Sequence, residues 1–159
     1  MMMKPMLEMM SDMVLPTIKF FEPTPKFLDW AKEYLKDCVV FDCGAGSGWL
    51  GHELKSINIR CLGIDLLQRD KTYSPVLTGV DVTGYVFPNT EFKRVAIIAR
   101  PNRGLWIEQT IDNASMQGVT VIYIGIPSHF EEDLEGRNWD MVCDGAGLEN
   151  EQVFVLKEG

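Results

Sequence analysis

The sequence predicts one doubly wound α/β domain: a mostly parallel sheet with helices on both faces and an antiparallel hairpin at its C-terminal end. Three observations carry this expectation. Strand-sized apolar runs alternate with segments of helical period along most of the chain, the pattern of a parallel sheet with right-handed crossovers. A glycine cluster follows the first apolar run, at the sheet edge where such folds place ligands. The 159 residues, 46% of them hydrophobic, can bury roughly two-thirds of their unfolded surface, enough for one core.

The elements follow in order. Thr24 and Pro25 supply an N-cap and a proline at the first helical position. Phe27, Leu28, Ala31, Tyr34 and Leu35 then share one helical face, and this helix is expected to end near Asp37. Cys38 to Phe41 is a continuous apolar run stopped by Asp42 and glycines, as in a strand covered on both faces. Leu50, Leu54 and Ile57 mark the inner face of a second helix. Ile59 to Ile64 forms the next strand, ending at Asp65, and 66–74 reads as a loop. Val76 to Val82 is a weaker third strand. Pro88-Asn89 leads to the strand Val95 to Ala99. Ile107, Ile111 and Ala114 give the stretch from Gly104 to Gln117 helical spacing, with Gly118 as its C-terminal cap.

Val119 to Ile126 is the strongest strand. Ser128 and Glu131 have capping-box spacing for a short helix closed by Gly136. Trp139 to Cys143 and Gln152 to Lys157 form the hairpin, and Gly145-Ala146-Gly147 between them reads as a turn rather than a second ligand loop. The organisation expected is a methionine-rich N-terminal segment, 1–23, and a domain, 24–159. Seven of the nine methionines, Met1, Met2, Met3, Met6, Met9, Met10 and Met13, lie in that segment, interrupted by charges that spoil a signal-peptide core.

A net charge of −8 repels phosphate backbones. The basic residues form no obvious patch along the chain, so nucleic acid is an unfavoured partner. No apolar run approaches the ~20 residues of a membrane-spanning helix. Cys38, Cys43, Cys61 and Cys143 are scattered without a C-x-x-C pair and read as core residues, which fits a reducing cytoplasm.

Asp42-Cys43-Gly44-Ala45-Gly46-Ser47-Gly48 carries the chemistry. Glycines here let the backbone turn tightly and approach a ligand. A P-loop would need Gly-Lys-Ser/Thr, and the third glycine of a dinucleotide G-x-G-x-x-G would fall on Trp49, which disfavours a nicotinamide-dependent oxidoreductase. The spacing is G-x-G-x-G instead. A carboxylate at Asp42 is an unfavourable neighbour for pyrophosphate but suits a ligand that is cationic near the loop, such as an amino-acid ammonium. Asp65 could accept from both hydroxyls of a ribose. Asp81 would end the third strand on the same edge.

An acidic residue followed by G-x-G-x-G resembles the first motif of the class I S-adenosylmethionine-dependent methyltransferases, whose fold is Rossmann-like. Asp42, Gly44, Gly46 and Gly48 match that motif, Gly63-Ile64-Asp65 matches the acidic ribose ligand, and Asp81-Val82 matches the adenine-contacting position. The resemblance implies S-adenosylmethionine as cofactor, held by Asp42, Gly44, Ala45, Gly46, Gly48, Asp65, Leu66, Asp81 and Val82. It also implies methyl transfer to an acceptor near Arg100, Pro101, Asn102, Trp106 and 127–130.

Methyl transfer is an in-line displacement that demands positioning, with a base only where the acceptor carries a proton. Arg100 and His129 are the candidate catalytic residues. Arg100 could bind an acidic acceptor, contact the cofactor or pair with a loop aspartate, and His129 could act as a base or stand exposed on the first turn of a helix. Ala99-Arg100-Pro101-Asn102 lacks the Asn/Asp-Pro-Pro-aromatic signature of amine methylases and the Pro-Cys nucleophile, which speaks against DNA bases. No aspartate cluster suggests a metal. Little sequence separates the strands, so a macromolecular acceptor, a protein partner or the N-terminal segment is expected to complete the pocket. A catalytically inactive, cofactor-binding regulatory or partner-dependent module is the competing function.

Overall fold

The computed structural model describes residues 20–157, excluding 70, 103, 130–133 and 135. It contains the helices α1 (Pro25–Tyr34), α2 (Trp49–Ser56) and α3 (Trp106–Met116). The strands are β1 (Cys38–Cys43), β2 (Arg60–Asp65), β3 (Val76–Thr78), β4 (Lys93–Ala99), β5 (Thr120–Gly125), β6 (Trp139–Cys143) and β7 (Gln152–Leu156). All seven strands lie in one sheet in the order β3-β2-β1-β4-β5-β7-β6. The first five neighbours pair in parallel, and β7 runs antiparallel to both β5 and β6. The expected mostly parallel sheet with an antiparallel C-terminal hairpin is therefore what the chain forms.

Both faces of the sheet are covered, which explains the continuous apolar runs. Val95 and Ile97 of β4 join one core with Phe27, Ala31, Leu50 and Leu54, beneath α1 and α2. Ala96 and Ile98 face the other way, onto Phe87 and onto Ile107, Ile111 and Ala114 of α3. Alternate residues of one strand thus belong to different cores.

Local chemistry sets the element ends. Thr24 Oγ1 accepts from the Phe27 N–H at 3.3 Å, and Pro25 follows at the first helical position. Helix α1 stops at Tyr34, and Asp37 takes a left-handed φ of 62° before β1. Gly118, at φ 73°, follows the end of α3 as expected. The third strand is a correction. It ends at Thr78 rather than Val82, because Gly79 turns left-handed at φ 73° and carries the chain off the sheet. Asp81 and Val82 consequently lie in a turn beyond the strand. Residues 127–129 are helical, while the rest of the helix expected up to Gly136, and all of 1–19, lie outside the described residues.

The chain order reverses between β1 and β4: β2 and β3 lie to one side, β5 to the other. Such a switch point opens a crevice at the carboxyl ends of the strands. The glycine loop occupies it.

Candidate functional site

A cavity of about 660 Å³ opens at this edge, within the range of small-molecule and cofactor sites. Its wall is built from the segments that leave the first four strands: 42–50 after β1, 65–69 after β2, 80–83 after β3 and 99–102 after β4. Asp42, Gly44, Ala45, Gly46, Asp65, Leu66, Asp81, Val82, Arg100 and His129 all line it. Gly48 does not; it faces Ser74 and Val76 instead.

The loop has a physical reason for each glycine. Gly44, Gly46 and Gly48 have φ of 77°, 58° and 78°, which L side chains adopt only under strain. A Cβ at Gly44 would lie 3.1 Å from the Trp106 ring, and one at Gly46 would lie 3.2 Å from the Phe20 ring. At Gly48 the obstacle is Ser74, whose Oγ donates to the Gly48 carbonyl at 2.5 Å and would sit 2.7 Å from an added Cβ. Gly48→Ala is expected to cost about 1–3 kcal/mol through strain and overpacking, read as a lower midpoint in thermal denaturation.

Asp42 is 3% exposed at the cavity floor. Burial, reinforced by the nearby Asp65 carboxylate, pushes its carboxyl up to about 7. Such a group favours a cationic neighbour, which would stabilise its ionised form. Asp65 organises the loop as well as facing the ligand space: Oδ2 accepts from the Gly46 N–H at 2.6 Å and Oδ1 from the Leu67 N–H at 2.9 Å. Each oxygen keeps a further lone pair for a hydroxyl donor. Asp81 is held in its turn by the Thr83 N–H at 3.0 Å and Thr83 Oγ1 at 2.7 Å, and these hydrogen bonds lower its carboxyl below the ordinary range. Val82 is buried against the second core and presents an apolar edge to the cavity.

At the end of the cavity formed by the segment after β4, Arg100 is paired with neither loop aspartate. Its Nη1 bonds Glu149 and Glu151 of the β6–β7 loop, the latter at 3.1 Å. His129 lines the cavity. His52 stands outside the cavity and stacks on Trp49 at 4.9 Å. Trp106, whose Nε1 donates to the Asn102 carbonyl at 3.1 Å, brings the outer edge of its six-membered ring against Gly44.

Phe20 and Phe21, from the N-terminal segment expected as one way of completing the pocket, stand in the wall, though neither they nor Arg69 were singled out from the sequence. The Arg69 guanidinium lies 5.5 Å from the Phe20 ring centre, above Gly46. Two adjacent aromatics just before a capped helix were the available signal. The sequence also hid a basic hollow at the opposite sheet edge, where Lys32, Lys36, Lys55 and Arg60 meet around Asp37 and Cys38. The last turns of α1 and α2 carry Lys32 and Lys55, so these cations offset helix C-terminal dipoles.

Among the described residues there is no group of three or more His, Cys, Asp or Glu placed to hold a metal ion, and no helix long and apolar enough to cross a membrane. The four cysteines are free thiols.

No protein-family model matches the sequence, and no curated protein matches it. Solved structures do match by fold. The 23S rRNA methyltransferase ErmE superposes with a TM-score of 0.56 at 13% identity, over 87% of this chain and 70% of its own. Magnesium protoporphyrin IX methyltransferase from Synechocystis PCC 6803, solved with bound SAM, gives 0.54 at 14% identity, over 82% and 76%. A ribosomal protein L11 methylase from Lactobacillus delbrueckii subsp. bulgaricus gives 0.50 at 14% identity, over 84% and 77%. The chain has the class I methyltransferase fold.

Proposed function

We propose that this class I methyltransferase fold binds S-adenosylmethionine and transfers its methyl group to an acceptor at the Arg100–Trp106 end of the cavity. The observation that carries the reading is the buried Asp42 carboxyl beneath a G-x-G-x-G loop that Asp65 braces. An amino-acid ammonium against Asp42 would relieve the cost of its ionisation. Asp65 accepts from the ribose hydroxyls, Val82 packs on the adenine, and Arg69 pairs with the cofactor's carboxylate. The three neighbours described above are named for rRNA, a ribosomal protein and a porphyrin, so the fold leaves the acceptor open. The net charge of −8 favours a neutral or cationic acceptor over a polyanion.

Chemically, the protein's task is alignment. The cofactor's sulfonium carbon must face the acceptor atom in line, with water excluded by Trp106 and the Phe20–Phe21 wall. His129, which lines the cavity, serves in this reading as the base for an acceptor that carries a proton.

Binding should depend on pH in a defined direction. The free Asp42 carboxyl titrates near 7, and an ammonium ligand prefers it ionised. Binding therefore releases a proton below that value, and affinity should fall by up to about tenfold for each pH unit from 7 toward 5.5. Above about pH 8 the ligand's own amino group begins to deprotonate and the trend should reverse. Calorimetric titrations with S-adenosylhomocysteine across this range read both limbs, and a flat profile would remove Asp42 from the site. Transfer of labelled methyl from S-adenosylmethionine to a panel of small and macromolecular acceptors tests catalysis. Cofactor binding without transfer to any of them would favour the inactive-module reading instead.

A further inference from the structure

Arg100 faces the cavity, yet its guanidinium is committed elsewhere. It bonds Glu149 and Glu151, and Glu151 is only 1% exposed. Arg100 holds a left-handed φ of 47°, an uncommon state for a non-glycine residue, while its N–H donates to the Ile124 carbonyl at 2.7 Å. Strain of this kind persists where surrounding contacts over-determine it. The second carboxylate oxygen of Glu151 accepts from the Glu149 N–H at 2.9 Å, which shapes the β6–β7 loop.

That loop holds the segment running into α1. Thr24 donates through N–H to the Ala146 carbonyl at 2.9 Å and through Oγ1 to the Gly145 carbonyl at 2.8 Å, and the Leu148 N–H donates to the Glu22 carbonyl at 3.2 Å. Gly147 is the junction. A Cβ there would collide with Glu151 Oε1 and lie 2.8 Å from the Phe21 ring, so loop, carboxylate and aromatic meet where only hydrogen fits. Phe21 is anchored edge-on to Phe27 with ring centres 5.3 Å apart, while Phe20 lies over Gly46.

We propose that Arg100 and Glu151 are a positioning pair: they fix the β6–β7 loop as a dock for residues 20–24, and so hold Phe20 and Phe21 as one wall of the cofactor cavity. Removing the guanidinium leaves a buried carboxylate uncompensated, and it relaxes by moving toward water and away from Gly147. A residue at the acceptor end thereby controls the wall at the cofactor end. The effect on ligand rests on the cofactor reading above; the dock itself does not.

Hydrogen exchange of the free protein, followed by titration with S-adenosylhomocysteine, tests the pair in wild type, Arg100→Ala, Glu151→Gln and Gly147→Ala. Thr24 and Leu148 amides should exchange about tenfold faster in each variant, and affinity should fall by a similar factor in all three. Neither Glu151 nor Gly147 lines the cavity, so losses there report on the wall. The double variant Arg100→Ala/Glu151→Gln should bind no worse than Arg100→Ala alone. Should Arg100→Ala fail to fold, Glu151→Gln preserves the shape and one acceptor and carries the same comparison.

Unchanged exchange at Thr24 and Leu148 in folded variants would overturn the dock. Weakened binding confined to Arg100→Ala would likewise overturn it, in favour of direct contact between Arg100 and ligand. If wild type fails to bind, the cofactor reading falls, while faster exchange in the variants would still establish the dock.

Discussion

Asp42→Asn is expected to stabilise the free protein above pH 7 and to abolish cofactor binding. The carboxyl is raised to about 7 in the folded chain by burial and by Asp65, against about 3.9 unfolded. Between those values the native state binds more protons than the unfolded state, so stability declines as pH rises through the window and levels off above it. Below the unfolded value both states are protonated and the site carries no penalty. At pH 8 the ionised group costs on the order of 2–4 kcal/mol, since a tenfold difference in proton affinity between the two states is worth about 1.4 kcal/mol. The amide removes that penalty, raising the unfolding midpoint by roughly 5–10 °C for a chain of this size. Near pH 4 the gain should vanish. Thermal denaturation at pH 4 and pH 8, with titration of S-adenosylhomocysteine at the higher pH, reads both effects. A destabilised variant, or one that still binds, would show that Asp42 is an ordinary buried core residue.

Asp65→Ala is expected to weaken cofactor binding by 100-fold or more on two grounds that act together. It removes the acceptor for the ribose hydroxyls, and it frees the Gly46 and Leu67 N–H groups that the carboxylate holds. Loss of one charged hydrogen-bond partner is worth about 1.5–3 kcal/mol, and loop disorder adds to it. Asp65→Asn keeps one acceptor oxygen and should lose less. Equal losses in the two variants would mean that charge, rather than loop geometry, governs the site; calorimetric titration of both decides.

The parts of this fold that were legible in the sequence are those set by neighbours along the chain. The Thr24-Pro25 start of α1, the left-handed Gly118 after α3 and the glycine loop after β1 are local signals, and alternating apolar runs sufficed for the layered sheet. The third strand is shorter than its pattern predicts because apolar residues continue past Gly79, and the turn there outweighs their β preference. Contacts between distant residues stayed hidden. Arg100 and Glu151 are 51 positions apart and Thr24 and Gly145 are 121 apart, so nothing local announced that the second glycine run is a dock. The same holds for the basic hollow, whose cations come from α1 and the turn after it, α2 and the start of β2. Asp42, by contrast, was identifiable because it stands next to the G-x-G-x-G loop, where a carboxylate opposes a pyrophosphate and suits a ligand that is cationic there.

The most direct test of S-adenosylmethionine binding is calorimetric titration of the wild-type protein at pH 7.5 with S-adenosylmethionine, S-adenosylhomocysteine and NADH. Saturable one-to-one binding of the first two, undisturbed by NADH, is the expected result. Failure of both to bind, or NADH binding more tightly than either, would contradict it and leave the chain with this fold but a different ligand.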